Sequence, residues 1–220
     1  MPHAKFGRLI AAVIVLVGVG LLIAALLTPW YSFEVSLLGQ SGTAHYYTGL
    51  PTENGTIQYS CSYNPGVRGQ CGPQTSYSSA HLNNTGVLAE TAFFLPIGGV
   101  VLGVIAALLG LTSRRKPKRA SPAIAFAVIA LILAIAGPVV FASALPNAFS
   151  KDDLLGHPAA AGPWSTFSGS NSSSLGNTTL TWGPGLGWYL SIGAFVLLLV
   201  GGILLLLYRK DPPTPATSPS

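Results

Sequence analysis

Four long apolar stretches, none carrying a charged side chain, constrain this chain more than any other feature. They are Leu9–Leu27, Thr91–Leu111, Ala123–Leu145 and Leu186–Tyr208. Because an α-helix rises about 1.5 Å per residue, each stretch can cross the roughly 30 Å hydrocarbon core of a bilayer. Only 8% of the residues are charged, against about 25% in soluble domains. The sequence therefore predicts a membrane protein whose fold is an all-α bundle of four transmembrane helices.

The basic residues indicate which ends of these helices face the cytoplasm. Nine of the eleven lie on one side of the predicted helices: Lys5, Arg8, Arg114, Arg115, Lys116, Lys118, Arg119, Arg209 and Lys210. Because short cytoplasmic loops carry an excess of Lys and Arg, both termini are predicted to be cytoplasmic, in a multi-pass protein of the cell membrane. The net charge is +5. Because the basic residues cluster on one side of the helices, they favour contact with anionic lipid headgroups over nucleic acid.

These assignments divide the chain into nine segments. Cytoplasmic parts are residues 1–8, a basic loop at 112–121 and a polar, proline-rich tail at 209–220, which we expect to be disordered. Helices are predicted at 9–27, 87–111, 122–145 and 186–208, and the outer loops at 28–86 and 146–185. A cleaved signal peptide is the alternative for the first helix. Its apolar run of about 19 residues exceeds the 7–15 of a signal sequence, so a permanent helix is favoured.

Small residues recur along the predicted helices at spacings that place them on one face. Gly99, Gly103 and Ala107 follow one another at intervals of four, and Gly201-Gly202 lies in the last helix. Such faces let helix backbones approach closely in lipid. Packing inside a single bundle is the favoured interpretation, and a contact between copies of the chain is the alternative. Pro96 and Gly137-Pro138 predict kinks.

The first outer loop reads as β-structure rather than as a simple connection. After Trp30, apolar Tyr31, Phe33, Val35 and Leu37 alternate with polar residues, as expected of a strand with two different faces. Further short strands are predicted at 44–47 and 56–61, with one more at 180–182 in the second outer loop. The rest of that loop, including 168–174, is expected to be flexible. The sequence thus predicts a small extracellular antiparallel sheet formed mainly by the first outer loop.

The two cysteines, Cys61 and Cys71, lie in this first loop, on the predicted oxidising side of the membrane. A disulfide between them is the favoured interpretation. A metal site with His45 or His81 is the alternative, but it lacks a recognised ligand spacing. Asn-x-Ser/Thr sequences in the outer loops are candidate N-glycosylation sites. They are Asn54, Asn83, Asn171 and Asn177.

The sequence offers few titratable residues that could take part in catalysis. Glu90 is predicted to lie at the start of the second helix, where a carboxylate meets the positive end of the helix dipole. The other titratable candidates are His45, His81, His157 and Asp152-Asp153, scattered through loops. Because a catalytic site needs an acid or base beside a nucleophile in an enclosed pocket, we expect no enzyme activity, no cofactor and no metal site.

The layout resembles the claudin superfamily, which includes claudins, peripheral-myelin-protein relatives and channel auxiliary subunits. The matching residues are Trp30 after the first helix, Gly49-Leu50 in mid-loop, and the pair Cys61 and Cys71. The resemblance implies four helices with an extracellular sheet closed by one disulfide. Pro51 stands where claudins have Trp, and Ser220 is not the apolar last residue that a PDZ groove binds. Tight-junction scaffolding is therefore not expected.

These observations together predict a non-enzymatic, claudin-like membrane protein. Its partners would be the lipid bilayer and other membrane proteins, and its outer sheet would mediate lateral assembly or cell-surface adhesion. An auxiliary subunit of a larger channel, receptor or transporter complex is the alternative. A transporter of its own or a membrane enzyme is less favoured, because the predicted spans carry almost no titratable side chain to run a proton or ion path.

Overall fold

The computed structural model describes residues 3–37, 40–48, 56–64, 67–70, 74–112, 120–152, 165–173 and 178–208. Within them lie four helices, α1 (His3–Leu26), α2 (Asn83–Thr112), α3 (Ala120–Asp152) and α4 (Leu186–Leu207). All four are long and apolar enough to cross a membrane. A small antiparallel sheet accompanies them, which confirms the predicted fold class.

The helices form a ring in which each packs mainly against two neighbours. The principal contacts join α1 to α2 and α4, and α3 to the same two helices. Small side chains such as Ala11, Ala107, Ala127 and Ala194 fill the interior together with Leu198, which lets the helix backbones approach closely. Larger apolar side chains point outward instead; among the exposed ones are Val13, Phe94, Val101, Ile132 and Leu206. An apolar surface of this kind suits the hydrocarbon core of a bilayer, because the lipid chains around it are themselves apolar.

Three helices extend well beyond the apolar stretches that predict them, and α1 begins at His3 rather than at Leu9. The structure begins α2 at Asn83, and α3 continues to Asp152 through Pro138 and Pro146. The extra turns of α3 carry Phe149, which is buried against the sheet. Tertiary packing therefore keeps this segment helical past the end of the apolar run. Both helices are continuous at Pro96 and Pro138, so the kinks stay a prediction.

The sheet is built from both connections at one end of the bundle, which we call the sheet end. The connection between α1 and α2 supplies β1 (Tyr31–Leu37), β2 (Gln40–Tyr46), β3 (Thr56–Asn64), β4 (Val67–Gln70) and β5 (Thr75–Ser76). The connection between α3 and α4 supplies β6 (Gly169–Ser173) and β7 (Thr178–Pro184). The strand order is β4-β3-β2-β1-β7-β6, with β5 beside β3, and every pairing is antiparallel.

Strand β6 corrects the sequence interpretation of 168–174 as a flexible segment. Its five residues are Gly, Ser and Asn, which have low strand propensity. They are held by pairing with β7, in which Gly169 lies opposite Trp182 and Asn171 opposite Leu180. Strand β7 is in turn paired with β1, Phe33 lying opposite Trp182. Tertiary pairing thus overrides local propensity, and the second connection becomes part of the sheet.

Candidate interaction surface

Trp30 is the joint between the helices and the sheet. Its side chain is fully buried, its indole Nε1–H donates to the carbonyl of Ala25 at 2.8 Å, and its ring meets that of Phe141 edge-on at 5.5 Å. Its backbone N–H donates to the carbonyl of Tyr46 at 2.8 Å, and its carbonyl accepts from the N–H of Gly185 at 2.9 Å. One residue therefore connects α1, α3, β2 and the start of α4.

Glycine is required where α4 begins beside this joint. A Cβ atom on Gly187 would lie 2.5 Å from Cδ1 of Trp30 and 2.7 Å from the carbonyl oxygen of Ala25. On Gly185 it would lie 2.3 Å from the carbonyl oxygen of Pro29. Backbone atoms cannot move aside as a flexible side chain can, so no larger residue fits. The absence of a Cβ fixes how closely α4 approaches the end of α1.

An aromatic layer lies between the sheet and the helix ends. The ring of Phe149 on α3 contacts those of Tyr31 and Tyr46, with centroids 5.7 Å and 5.5 Å apart. Tyr77 stacks on Tyr46 at 6.2 Å and donates its hydroxyl to the carbonyl of Tyr47 at 3.0 Å. Burial raises the pKa of the Tyr77 hydroxyl, with a smaller contribution from Tyr46. The Tyr77 phenol therefore stays neutral, and the layer fixes the sheet on the bundle.

A carboxylate from α3 caps the first turn of α2. Asp152 accepts hydrogen bonds at its Oδ1 atom from the backbone N–H and the side-chain amide of Asn84, both at 2.8 Å. Its Oδ2 atom accepts from the backbone N–H of Thr85 at 2.8 Å and from the Thr85 hydroxyl at 2.7 Å. The first turn of α2 contains no acid of its own. The antiparallel packing of α2 on α3 supplies one from the other helix, an arrangement that sequence reasoning missed.

The prediction for Glu90 is corrected by this arrangement. Helix α2 begins at Asn83, so Glu90 lies about two turns inside it and is half-buried. The field of a helix terminus falls off within its first turn, which makes Asp152 rather than Glu90 the acid at this dipole. The sequence signal was misleading because the apolar run begins after Glu90 whereas the helix begins before it.

The sheet face opposite the aromatic layer is polar. On it, Oγ of Ser32 lies 3.3 Å from Nδ1 of His45, and Glu34 follows along the same strand. Burial lowers the pKa of His45, while the negative charge of Glu34 acts in the opposite direction. Within the described segments, no three His, Cys, Asp or Glu side chains converge as metal ligands would.

Several predicted site residues lie outside the described part of the chain. These are Cys71, Gly49, Leu50, Asn54, Asn177, His157 and Asp153. Cys61 lies in β3. Because Cys71 is outside the described residues, the disulfide between the two stays a prediction. Asn83 is the first residue of α2, and Asn171 lies in β6. Both are exposed, as is His81, which precedes α2.

The small residues of the helices lie at contacts within this bundle. A Cβ atom on Gly99 would lie 3.3 Å from the carbonyl oxygen of Ala130. On Gly103 or Gly201 it would lie 2.6 Å from a methyl carbon of α1, and Ala107 is fully buried. Gly202 differs, because its nearest neighbour would be Cβ of Ala127 at 4.0 Å. Contact between copies of the chain through these faces stays a prediction.

The described part of the sheet has two outer strands and an exposed apolar stretch on β1. The outermost strands, β4 and β6, each have one paired side in the strand order. On β1, Val35 and Leu37 are exposed at 37% and 49%, whereas Tyr31 on the same face is fully buried. We call Val35 and Leu37 the apolar tip.

Comparison of the chain with protein-family models and with curated proteins gives no match. The claudin-like resemblance therefore stays a prediction.

Proposed function

We propose that this chain is a non-enzymatic membrane protein whose sheet mediates lateral assembly or cell-surface adhesion. The observation that carries the proposal is the apolar tip. Along one face of β1 the side chains change from fully buried at Tyr31 to 49% exposed at Leu37. Exposed apolar side chains that lie together on one face, rather than scattered singly, are a feature of protein contact sites.

The rigid support of the sheet favours this use. Trp30 and the aromatic layer fix the base of β1 on the helices, so the apolar tip has a defined position relative to the membrane. A preorganised surface loses less conformational entropy on binding than a mobile loop. Among the described strands, β4 and β6 end the sheet, and strands at a sheet edge pair readily with other strands.

Orientation in the cell membrane is part of the same proposal. Nε of Arg8 donates to the carbonyl of Tyr208 at 2.7 Å, so the start of α1 meets the end of α4 opposite the sheet. Nine of the eleven basic residues flank the helices on that side in the sequence. The positive-inside rule then puts both termini in the cytoplasm and the sheet outside the cell.

Membership of the claudin superfamily is also a proposal. What supports it is the combination of a four-helix bundle, an antiparallel sheet supplied mainly by the first connection, and Trp30 directly after α1. The resemblance adds the pair Cys61 and Cys71 and the residues Gly49-Leu50 from the sequence.

The test replaces the apolar tip. The double variant Val35→Ser/Leu37→Ser should lower self-association in mild detergent, measured by light scattering, and the aggregation of cells that express the protein. The control Glu34→Gln/Ser36→Ala alters the other face of the same strand and should leave both measurements unchanged. Equal behaviour of the two variants would contradict the proposal. Loss of one stoichiometric partner protein, with self-association unchanged, would instead favour an auxiliary subunit.

A further inference from the structure

An apolar groove runs between α3 and α4 on the outside of the bundle. It lies near the end opposite the sheet, since its lining extends from Ile124, close to the start of α3, to Leu206, close to the end of α4. Its floor includes Ala127 and Leu198, which are 1% and 0% exposed. Its walls include Val128 and Ile203, both 47% exposed. The groove therefore opens onto the membrane-facing surface.

The pair Gly201-Gly202 shows how the groove is kept open. A Cβ atom on Gly201 would lie 2.6 Å from a methyl carbon of Val15 and 3.2 Å from the carbonyl oxygen of Ala11, so Gly201 allows α1 and α4 to pack closely. Gly202 faces α3, and a Cβ there would meet only Cβ of Ala127, at 4.0 Å. The packing of the bundle requires Gly201 but leaves space at Gly202. That space lies within the groove.

The shape of the groove fits a flexible chain better than another helix. A helix approaches closely where small residues recur four apart on its partner. On α4 the residues four before and four after Gly202 are Leu198 and Leu206, and on α3 the lining includes Val128. The exposed branched side chains of Leu206 and Val128 hold a second helix backbone away from the floor. An acyl chain is narrow enough to enter, and its methylenes bury apolar surface against the walls.

The residues next to both groove helices in the sequence indicate the kind of headgroup. Lys118 and Arg119 immediately precede the first residue of α3, and Arg209 and Lys210 immediately follow Tyr208. In the sequence, one pair of basic residues thus adjoins α3 and another pair adjoins α4. Basic residues beside a groove between transmembrane helices favour an anionic phospholipid. We infer that the groove binds one acyl chain of an anionic phospholipid.

The first experiment fills the groove. The full-length protein is purified, stripped of lipid and titrated with phosphatidylglycerol or phosphatidylcholine under native mass spectrometry. Wild type should bind phosphatidylglycerol more tightly than phosphatidylcholine. Gly202→Leu should weaken phosphatidylglycerol binding roughly tenfold, because the methylenes of the lipid lose their burial site. Gly20→Leu is the matched control, since Gly20 is exposed and a Cβ atom added there would have no neighbour within 4 Å.

Three outcomes would overturn the inference. One is that Gly202→Leu binds phosphatidylglycerol as tightly as wild type. If that variant also changes the oligomeric state, the groove is a contact for a helix of another copy rather than a lipid site. Another is equal affinity of wild type for the two lipids. The third is retention of the headgroup preference when Lys118, Arg119, Arg209 and Lys210 are all replaced by Gln. The proposed adhesion function involves the opposite end of the bundle, so its failure would leave these results unaffected.

A second measurement needs no variant and covers the case in which Gly202→Leu fails to fold. Wild type is irradiated with phosphatidylglycerol that carries a diazirine in its acyl chain, and the labelled residues are identified. Labelling should be enriched at Val128, Ile203 and Leu206 relative to Val17 and Ile23, which are exposed on α1. Even labelling of both groups would show that lipid contacts the whole surface without a preferred site.

Discussion

Thr85 donates both its backbone N–H and its hydroxyl to one carboxylate oxygen of Asp152, at 2.8 Å and 2.7 Å. The two residues are 67 positions apart in the chain. The contact satisfies the first turn of α2 with a group from the last turn of α3, so it joins the two helices at the sheet end. It also buries the Thr85 side chain, which is only 1% exposed.

Loss of this cap should destabilise the protein. Asp152→Ala removes the acceptor of four hydrogen bonds and leaves the first N–H groups of α2 without their carboxylate. Losing a helix cap costs roughly 0.5–2 kcal/mol, so the free energy of unfolding, measured by denaturation in detergent, should fall by about that amount. Lys151→Ala, at the exposed neighbouring position, is the control. If the two variants prove equally stable, the capping role of Asp152 is contradicted.

Gly187→Ala should disturb the joint at Trp30. The added methyl would lie 2.5 Å from Cδ1 of Trp30 and 2.7 Å from the carbonyl oxygen of Ala25. Overpacking of this kind typically costs about 1–3 kcal/mol. Gly193→Ala on the same helix is the control, because its methyl meets only Cδ1 of Leu21, at 3.5 Å. The thermal unfolding temperature should fall for the first variant alone, and a shift of similar size in both would contradict the geometry of the joint.

His45 should make stability depend on pH in a defined direction. Its pKa in the folded protein lies below the ordinary value of 6.5 because burial disfavours the charged imidazole. As the pH falls below about 6.5, the unfolded chain binds a proton that the folded protein binds less readily, and stability is lost. His45→Gln should therefore reduce the loss of unfolding free energy between about pH 7 and pH 5. His81→Asn, at an exposed position, is the control, and an unchanged slope for His45→Gln would refute the prediction.

The sequence prediction for the cysteines can be tested directly. Cys61 and Cys71 should be joined by a disulfide in the mature protein, and peptide mapping without reduction should recover the two linked peptides. The bond should stabilise the fold by roughly 2–3 kcal/mol, because it closes a short loop in the unfolded chain. Two free thiols, or a bridge to a second molecule, would contradict the prediction.

Orientation in the membrane can be read from cysteine labelling in intact cells. With Cys61 and Cys71 present as a disulfide, a cysteine introduced at Ser170, exposed in β6, should react with an impermeant thiol reagent. One introduced at Ser113, after α2, should react only once the membrane is opened. The reverse pattern would overturn the orientation inferred from the positive residues.

The features that can be read from the chain alone are local ones. The four spans follow from apolar runs whose length is set by bilayer thickness. The alternation from Tyr31 to Leu37 follows from the two-residue period of a strand. Neither depends on which distant residues become neighbours, so both are readable before the fold is known.

The way in which these elements meet depends on tertiary packing. The helical turns up to Asp152, the strand at 169–173 and the cap on Thr85 have weak or misleading local signals. Each exists because packing brings together groups far apart in the chain, as Asp152 is brought to Thr85 and Gly187 to Trp30. The energy of such contacts arises from burial and hydrogen bonding between distant segments, and local propensity does not encode it.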